Sequence, residues 1–120
     1  MMDTEAVLNV LRRVLDPEHP ISVVEMGLVK SEDVTINDDD LKVQFAPTVP
    51  GCPMGAVIGI IIRKALEDAF PDQRIEVRVK PGTHMREDAC NNMINDEAQY
   101  QSAVEKLTAS GALDRLILKE

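Results

Sequence analysis

The chain has almost no aromatic residues: Phe45, Phe70 and Tyr100 are the whole set, and tryptophan is absent. Val, Ile, Leu and Met must therefore fill the core, and no aromatic platform is available for stacking nucleobases. Positive charge is also scarce. Thirteen Lys and Arg stand against 21 Asp and Glu, a net charge of −8, and the basic residues form no stripe. Such a surface repels phosphate backbones and anionic lipid, so neither nucleic acid nor a membrane is expected as a partner. The longest apolar stretch, Ala56 to Ile62, falls far short of a membrane span. No glycine-rich phosphate loop follows an apolar strand, which argues against nucleotide binding. The only two cysteines, Cys52 and Cys90, make no disulfide framework and fit a reduced, cytoplasmic setting. The start "MMDTEAVLNV" has no positive charge ahead of an apolar stretch, so no signal peptide is expected.

What is present suits a single domain over residues 1–120, because 120 residues with 44% hydrophobic content can bury a core. Asp3 or Thr4 can cap a first helix with Val7, Leu8, Leu11, Val14 and Leu15 at helical spacing, and Pro17 is expected to end it. Val34 and Ile36, then Leu41, Val43 and Phe45, alternate with polar neighbours and read as a hairpin turning at Asn37 to Asp40. A second helix is expected from Pro53 to Phe70. Ile58, Ile61, Ile62, Ala65, Leu66 and Ala69 would form its apolar face, with Arg63, Lys64, Glu67 and Asp68 on the wet side. Gly55 and Gly59, one turn apart, would let another backbone approach.

"RIEVRVK" is the cleanest strand, followed by a loop signal in "PGTHMRE". Asp96 and Gln99 have capping-box spacing ahead of a helix with Tyr100, Ala103, Val104 and Leu107. Gly111 can close that helix, and "LDRLILK" can add a short terminal strand. The order helix–strand–strand–helix–strand–helix points to a compact two-layer α/β sandwich.

The chemistry concentrates at "TVPGCPMGAV", residues 48–57. Pro53 suits the first turn of a helix, where its missing N–H costs nothing, so Cys52 would stand at or beside the N-cap. The unpaired N–H groups and the helix dipole there favour thiolate over thiol, which makes a reactive or metal-binding cysteine. Two prolines and Gly51 would hold the thiol, and Thr48 could add a hydroxyl. A plain strand-to-helix turn with a small buried cysteine fits the same residues, and spacing alone does not put the reactive reading ahead. His84, in "KPGTHMRE", could meet Cys52 as base, ligand or hydrogen-bond partner if its loop lies beside the helix start. A turn histidine bonded to backbone is the commoner outcome. Asp16, Glu18 and His19 in "LDPEHP" form a third polar cluster, of a kind that ordinary helix-end chemistry also produces.

A resident metal centre is not expected. The chain contains no C-x-x-C and no H-x-x-x-H, and Cys90 reads as a small core residue. One chain cannot supply four thiolates, so an iron–sulfur cluster would have to be shared, completed by another ligand, or held by a partner.

Three stretches go further: "LDPEHPISVVEMGLV", "FAPTVPGCPMGAVIGIIIRKAL" and "VKPGTHMREDACNNMINDEAQYQSAVEK". In order and wording they resemble the iron–sulfur assembly domain family of SufT- and PaaD-like proteins, which also contains the eukaryotic targeting factor of cytosolic iron–sulfur assembly. The resemblance runs from about Leu15 to Lys106. It implies an α/β domain that helps deliver iron–sulfur clusters, with the family's reactive cysteine at Cys52 and its corner threonine at Thr48. The acidic motif falls on Asp16, Pro17 and Glu18, and the histidine loop on Pro81, Gly82, Thr83 and His84. Cys90 stands where the family usually has an aliphatic residue and is not assigned a role. No nucleotide-binding domain is fused to the module in this sequence, unlike the family's ATPase carriers.

The resemblance implies a non-enzymatic factor. Its partners would be iron–sulfur carriers or scaffolds and recipient apo-proteins, and it would hold no tight cofactor. Cys52 would contact a cluster or an iron in passing, with Asp16, Glu18, Thr83 and His84 shaping the pocket. Two alternatives stay open: a thiol enzyme using a Cys52/His84 pair, and a pure adaptor that needs no cysteine chemistry and can form a homodimer.

Overall fold

A computed structural model of the chain describes residues 3–16, 21–37, 39–46, 55–81 and 87–117, with backbone alone at 55, 56 and 87. Helix α1 (Thr4–Leu11) starts where the Asp3 carboxylate accepts the Ala6 N–H at 2.8 Å. It stops at Leu11, well before Pro17. Arg13 and Val14 donate one residue short, to Val10 and Leu11, and the chain then extends. Val14 bridges Ile117 and Leu15 bridges Ser22, so tertiary pairing overrides a helical spacing that otherwise continues to Leu15.

After a 3₁₀ turn at Ser31–Asp33, strand β1 (Val34–Asn37) pairs antiparallel with β2 (Asp40–Phe45). Helix α2 (Gly55–Ala69) then crosses back to β3 (Arg74–Val79), which lies parallel to β2 with Leu41 opposite Ile75 and Phe45 opposite Val79. The sheet order is β1–β2–β3. Helices α3 (Glu87–Asn95), α4 (Glu97–Ala109) and α5 (Ala112–Leu116) follow. The expected order and α/β layering are therefore the observed ones. The stretch read as a terminal strand begins differently: Ala112–Leu116 is helical, Ile117 makes a β-bridge with Val14, and the residues after it lie outside the described ones. Gly111, at φ 79°, starts that helix in a left-handed conformation.

Leu41, Val43, Phe45, Val77 and Val79 from the sheet meet Ile58, Ile61, Ile62 and Leu66 of α2 in one buried cluster. Cys90 lies in it too, as the sequence suggests. Gly59 is needed because of what sits over it. A Cβ there would fall 2.3 Å from Ile94 Cδ1 and 2.9 Å from Phe45 Cε1. The close neighbours are side chains from α3 and β2, where the sequence suggested a backbone.

Strand β3 is an edge strand, and α3 covers its open side. The Asn91 side chain accepts the Val79 N–H at 2.7 Å, and Asn95 donates to the Val77 carbonyl at 2.9 Å. Two amides one helical turn apart thus stand in for a neighbouring strand and close an edge that would otherwise invite pairing.

Arg63, expected on the wet side of α2, is 7% exposed. Its guanidinium donates to the Ile94 carbonyl and to Glu97, both at 2.7 Å, and lies 3.8 Å from the centre of the Tyr100 ring. Glu67 sits 3.4 Å away and accepts the Tyr100 hydroxyl proton. This cluster fastens the α3–α4 corner to α2. Burial, and next the Glu67 carboxylate, push the Tyr100 phenol well above its ordinary range.

Two outcomes follow from this packing. Gly59→Ala gains about 1 kcal/mol of helix propensity but overpacks a site walled on two sides, which costs about 1–3 kcal/mol. Its denaturant midpoint should drop, and adding Ile94→Val, which removes the clashing methyl, should recover part of the loss. Tyr100 is the only tyrosine, so its ionisation can be followed by ultraviolet absorbance. In the folded protein it should stay protonated above pH 10. Because its folded pKa is raised, its contribution to stability is complete below about pH 10 and is lost as pH rises further. Tyr100→Phe should remove that alkaline fall; an absorbance midpoint near pH 10 in folded protein would contradict the geometry.

Candidate functional site

Strands β2 and β3 run in the same direction, so both deliver the chain to one end of the sheet. The Lys80 N–H bonds the Phe45 carbonyl at 2.7 Å, which extends the ladder just past both strands. From this end residues 47–54 lead into α2, and residues 82–86 lead into α3. Thr48 and Cys52 belong to the first connection, Thr83 and His84 to the second, and both connections lie outside the described residues. So do Glu18 and His19. The structure therefore describes where these loops are rooted, and Asp16 is the one nominated residue it places. The helix expected from Pro53 is described from Gly55, and the N-cap expected near Cys52 lies outside the described residues.

Connections at the carboxyl ends of parallel strands are the usual ligand-binding face of open α/β sheets. Here the roots are adjacent, because Phe45 and Val79 are register partners. Helix α2 begins at this same end, since it must run back to reach the start of β3. The positive end of a helix dipole favours negative charge there.

Asp16 is 2% exposed, with its N–H on the Ile21 carbonyl at 3.1 Å. That bond, with the Leu15–Ser22 bridge, closes the base of the 17–20 loop. The chain from Ser22 turns at Gly27, where φ is +77°, and brings the Leu28 carbonyl to the Ala46 N–H at 2.9 Å. The root of the Cys52 connection is thus tied to the segment that leaves the Asp16 loop.

The sequence reading missed one further ion pair. Lys80 Nζ lies 2.8 Å from Asp33 Oδ1, and Asp33 Oδ2 accepts the Lys30 N–H at 2.9 Å. The hint was there in a lysine directly before "PGTH", but its partner is far away in sequence.

Among the described residues, no group of three or more His, Cys, Asp or Glu could hold a metal, and no helix is long and apolar enough to cross a membrane. Two open grooves of about 580 and 630 Å³ both reach the last two turns of α2, through Lys64 and Ala69 in one and Arg63 and Glu67 in the other. They lie at the far end of that helix from its start, and Asp16, the one nominated residue among the described ones, does not line them.

A family model described as iron–sulfur cluster assembly protein matches residues 4–79. The chain belongs to that family. The match contains the Asp16–Glu18 motif and the Thr48-to-Cys52 corner, and it ends just before Thr83 and His84. Among curated relatives, the MIP18 family protein C144.16 of Schizosaccharomyces pombe is 34% identical over 110 residues, covering 87% of this chain and 62% of that protein. Protein AE7 of Arabidopsis thaliana is 32% identical over 122 residues, covering 99% of this chain and 78% of AE7. Cytosolic iron-sulfur assembly component 2B of Dictyostelium discoideum is 32% identical, covering 86% of this chain and 65% of that protein. The chain thus spans only 62% and 65% of two of these relatives. A crystal structure of a domain of unknown function, DUF59, from Bacillus anthracis aligns with a TM-score of 0.60 and 27% identity, covering 79% of this chain and 90% of that one.

Proposed function

We propose that the protein is a non-enzymatic factor that helps assemble iron–sulfur clusters or deliver them to recipient proteins, with Cys52 as its working residue. The observation that carries this reading is the family match across the Thr48-to-Cys52 corner, in a fold where that corner's connection is rooted beside the histidine loop. Relatives named as cytosolic iron–sulfur assembly components point the same way and suggest work in the cytoplasm. The cluster or iron is cargo, met in passing by the Cys52 thiolate, and the protein keeps no tightly bound cofactor. Its partners are a carrier or scaffold on one side and recipient apo-proteins on the other, and an acidic surface of net charge −8 makes basic patches suitable counterparts.

The chemistry asked of the chain is limited. A thiolate at a helix start can displace a ligand on iron or exchange with a partner's cysteine. Thr48, Thr83 and His84 would offer hydrogen bonds to the sulfur or to the cargo, while Asp16 and Glu18 shape the neighbouring wall.

Replacing Cys52 by alanine tests this directly. In cells relying on Cys52→Ala, iron–sulfur enzyme activity should fall to the level seen without the protein, while the variant's melting temperature stays within a few degrees of wild type. Full enzyme activity with the alanine variant would exclude a working thiol and leave the pure adaptor.

A further inference from the structure

We infer that Asp33 and Lys80 form a positioning pair for the Cys52 site, gripping the roots of both connections from one short segment of chain. The inference rests on Cys52 being the working thiol, as proposed above.

Exposed ion pairs contribute little, because both charges stay hydrated and the side chains lose freedom in meeting. The pairs Arg12–Glu5 and Arg74–Asp40 are of that kind. The Asp33–Lys80 pair differs: the Asp33 side chain is 5% exposed and that of Lys80 31%. Both Asp33 oxygens are engaged, one by the Lys80 ammonium and one by the Lys30 N–H. Taking a carboxylate this far from water is costly unless it is paired and hydrogen-bonded, so the geometry around it is held firmly.

Its place in the fold gives the pair its role. Lys80 directly follows β3, and its own N–H holds Phe45 of β2. The next residue is Pro81, whose ring sets φ, so the direction imposed at Lys80 holds up to the residue from which the "GTH" connection departs. Leu28 holds Ala46, the root of the other connection. Leu28 and Val29 are buried, which pins the 28–33 segment to the core. One bracket therefore grips Ala46 through Leu28 and Lys80 through Asp33. Loosening it would free the roots of the two connections while leaving the strands paired.

The test follows Cys52 alkylation by iodoacetamide against pH, read by peptide mapping so that the buried Cys90 is scored separately. Hydrogen exchange at the Ala46 and Lys80 amides is measured alongside that at Val43 and Val77 within the strands. Wild type should show an apparent Cys52 pKa below the free-thiol value of about 8.5. Lys80→Met should move it back towards that value, slow the reaction at pH 7 at least about threefold, and speed exchange selectively at Ala46 and Lys80. Lys80→Arg should preserve the wild-type profile. Asp33→Asn, which keeps the shape and an acceptor for Lys30, carries the same expectation if Lys80→Met does not fold. A depressed wild-type pKa with folded variants that superimpose on it overturns the positioning role. An ordinary wild-type thiol overturns the reading of Cys52 instead; selective exchange at the two roots then still supports the bracket, and uniform exchange removes it as well.

Discussion

Parallel pairing of β2 with β3, closed by α2, is the constraint from which the rest follows. Two parallel neighbours cannot be joined by a tight turn, so the chain must cross over, and here it does so through the most thoroughly buried helix in the fold. The same pairing sends both strands out at one end of the sheet. Two connections that are distant in sequence therefore begin next to each other, at the end where α2 starts. A site built there draws its residues from separate motifs without any of them being close in the chain.

The rest of the molecule steadies that arrangement. Gly59 lets Ile94 and Phe45 press onto α2, which seats α3 close to the sheet. Asn91 and Asn95 then close the outer edge of β3, the strand that would otherwise be open to another chain. Arg63, beneath Tyr100 and bound to Glu97, locks the α3–α4 corner. These contacts lie along α2 and the outer side of β3, while the Leu28–Asp33 segment grips the roots of the connections. Rigid elements around the loops are what the proposed role of Cys52 would need, since a thiolate's reactivity depends on the fixed dipoles around it.

Much of the fold was legible because its signals were periodic. Alternation at Leu41, Val43 and Phe45 and at Ile75, Val77 and Val79 marked two strands, and Asp3 and Asp96 marked two helix starts that the structure places as read. Misreadings arose where a distant partner changed a residue's setting. Val14 and Leu15 continue a helical spacing yet pair with Ile117 and Ser22. Arg63 looks like a surface residue until Tyr100 and Ile94 cover it. The terminal apolar run reads as a strand, but Gly111 in a left-handed conformation turns it into a short helix first. Of the nominated site, Asp16 proved buried beside its loop. Glu18, Thr48, Cys52, Thr83 and His84 were legible as motifs alone; the first three fall within the family match across residues 4–79, and Thr83 and His84 fall beyond it.

By itself the sequence determined the family and the α/β class, because both are written in local pattern: motif wording, spacing and caps. Only the tertiary structure decided that β2 and β3 are parallel neighbours, that Asp33 meets Lys80, and that two asparagines complete a sheet edge. Those contacts join residues separated by a dozen to nearly fifty positions. Their energy comes from burial and pairing that exist only once the chain has closed on itself, so no local pattern announces them.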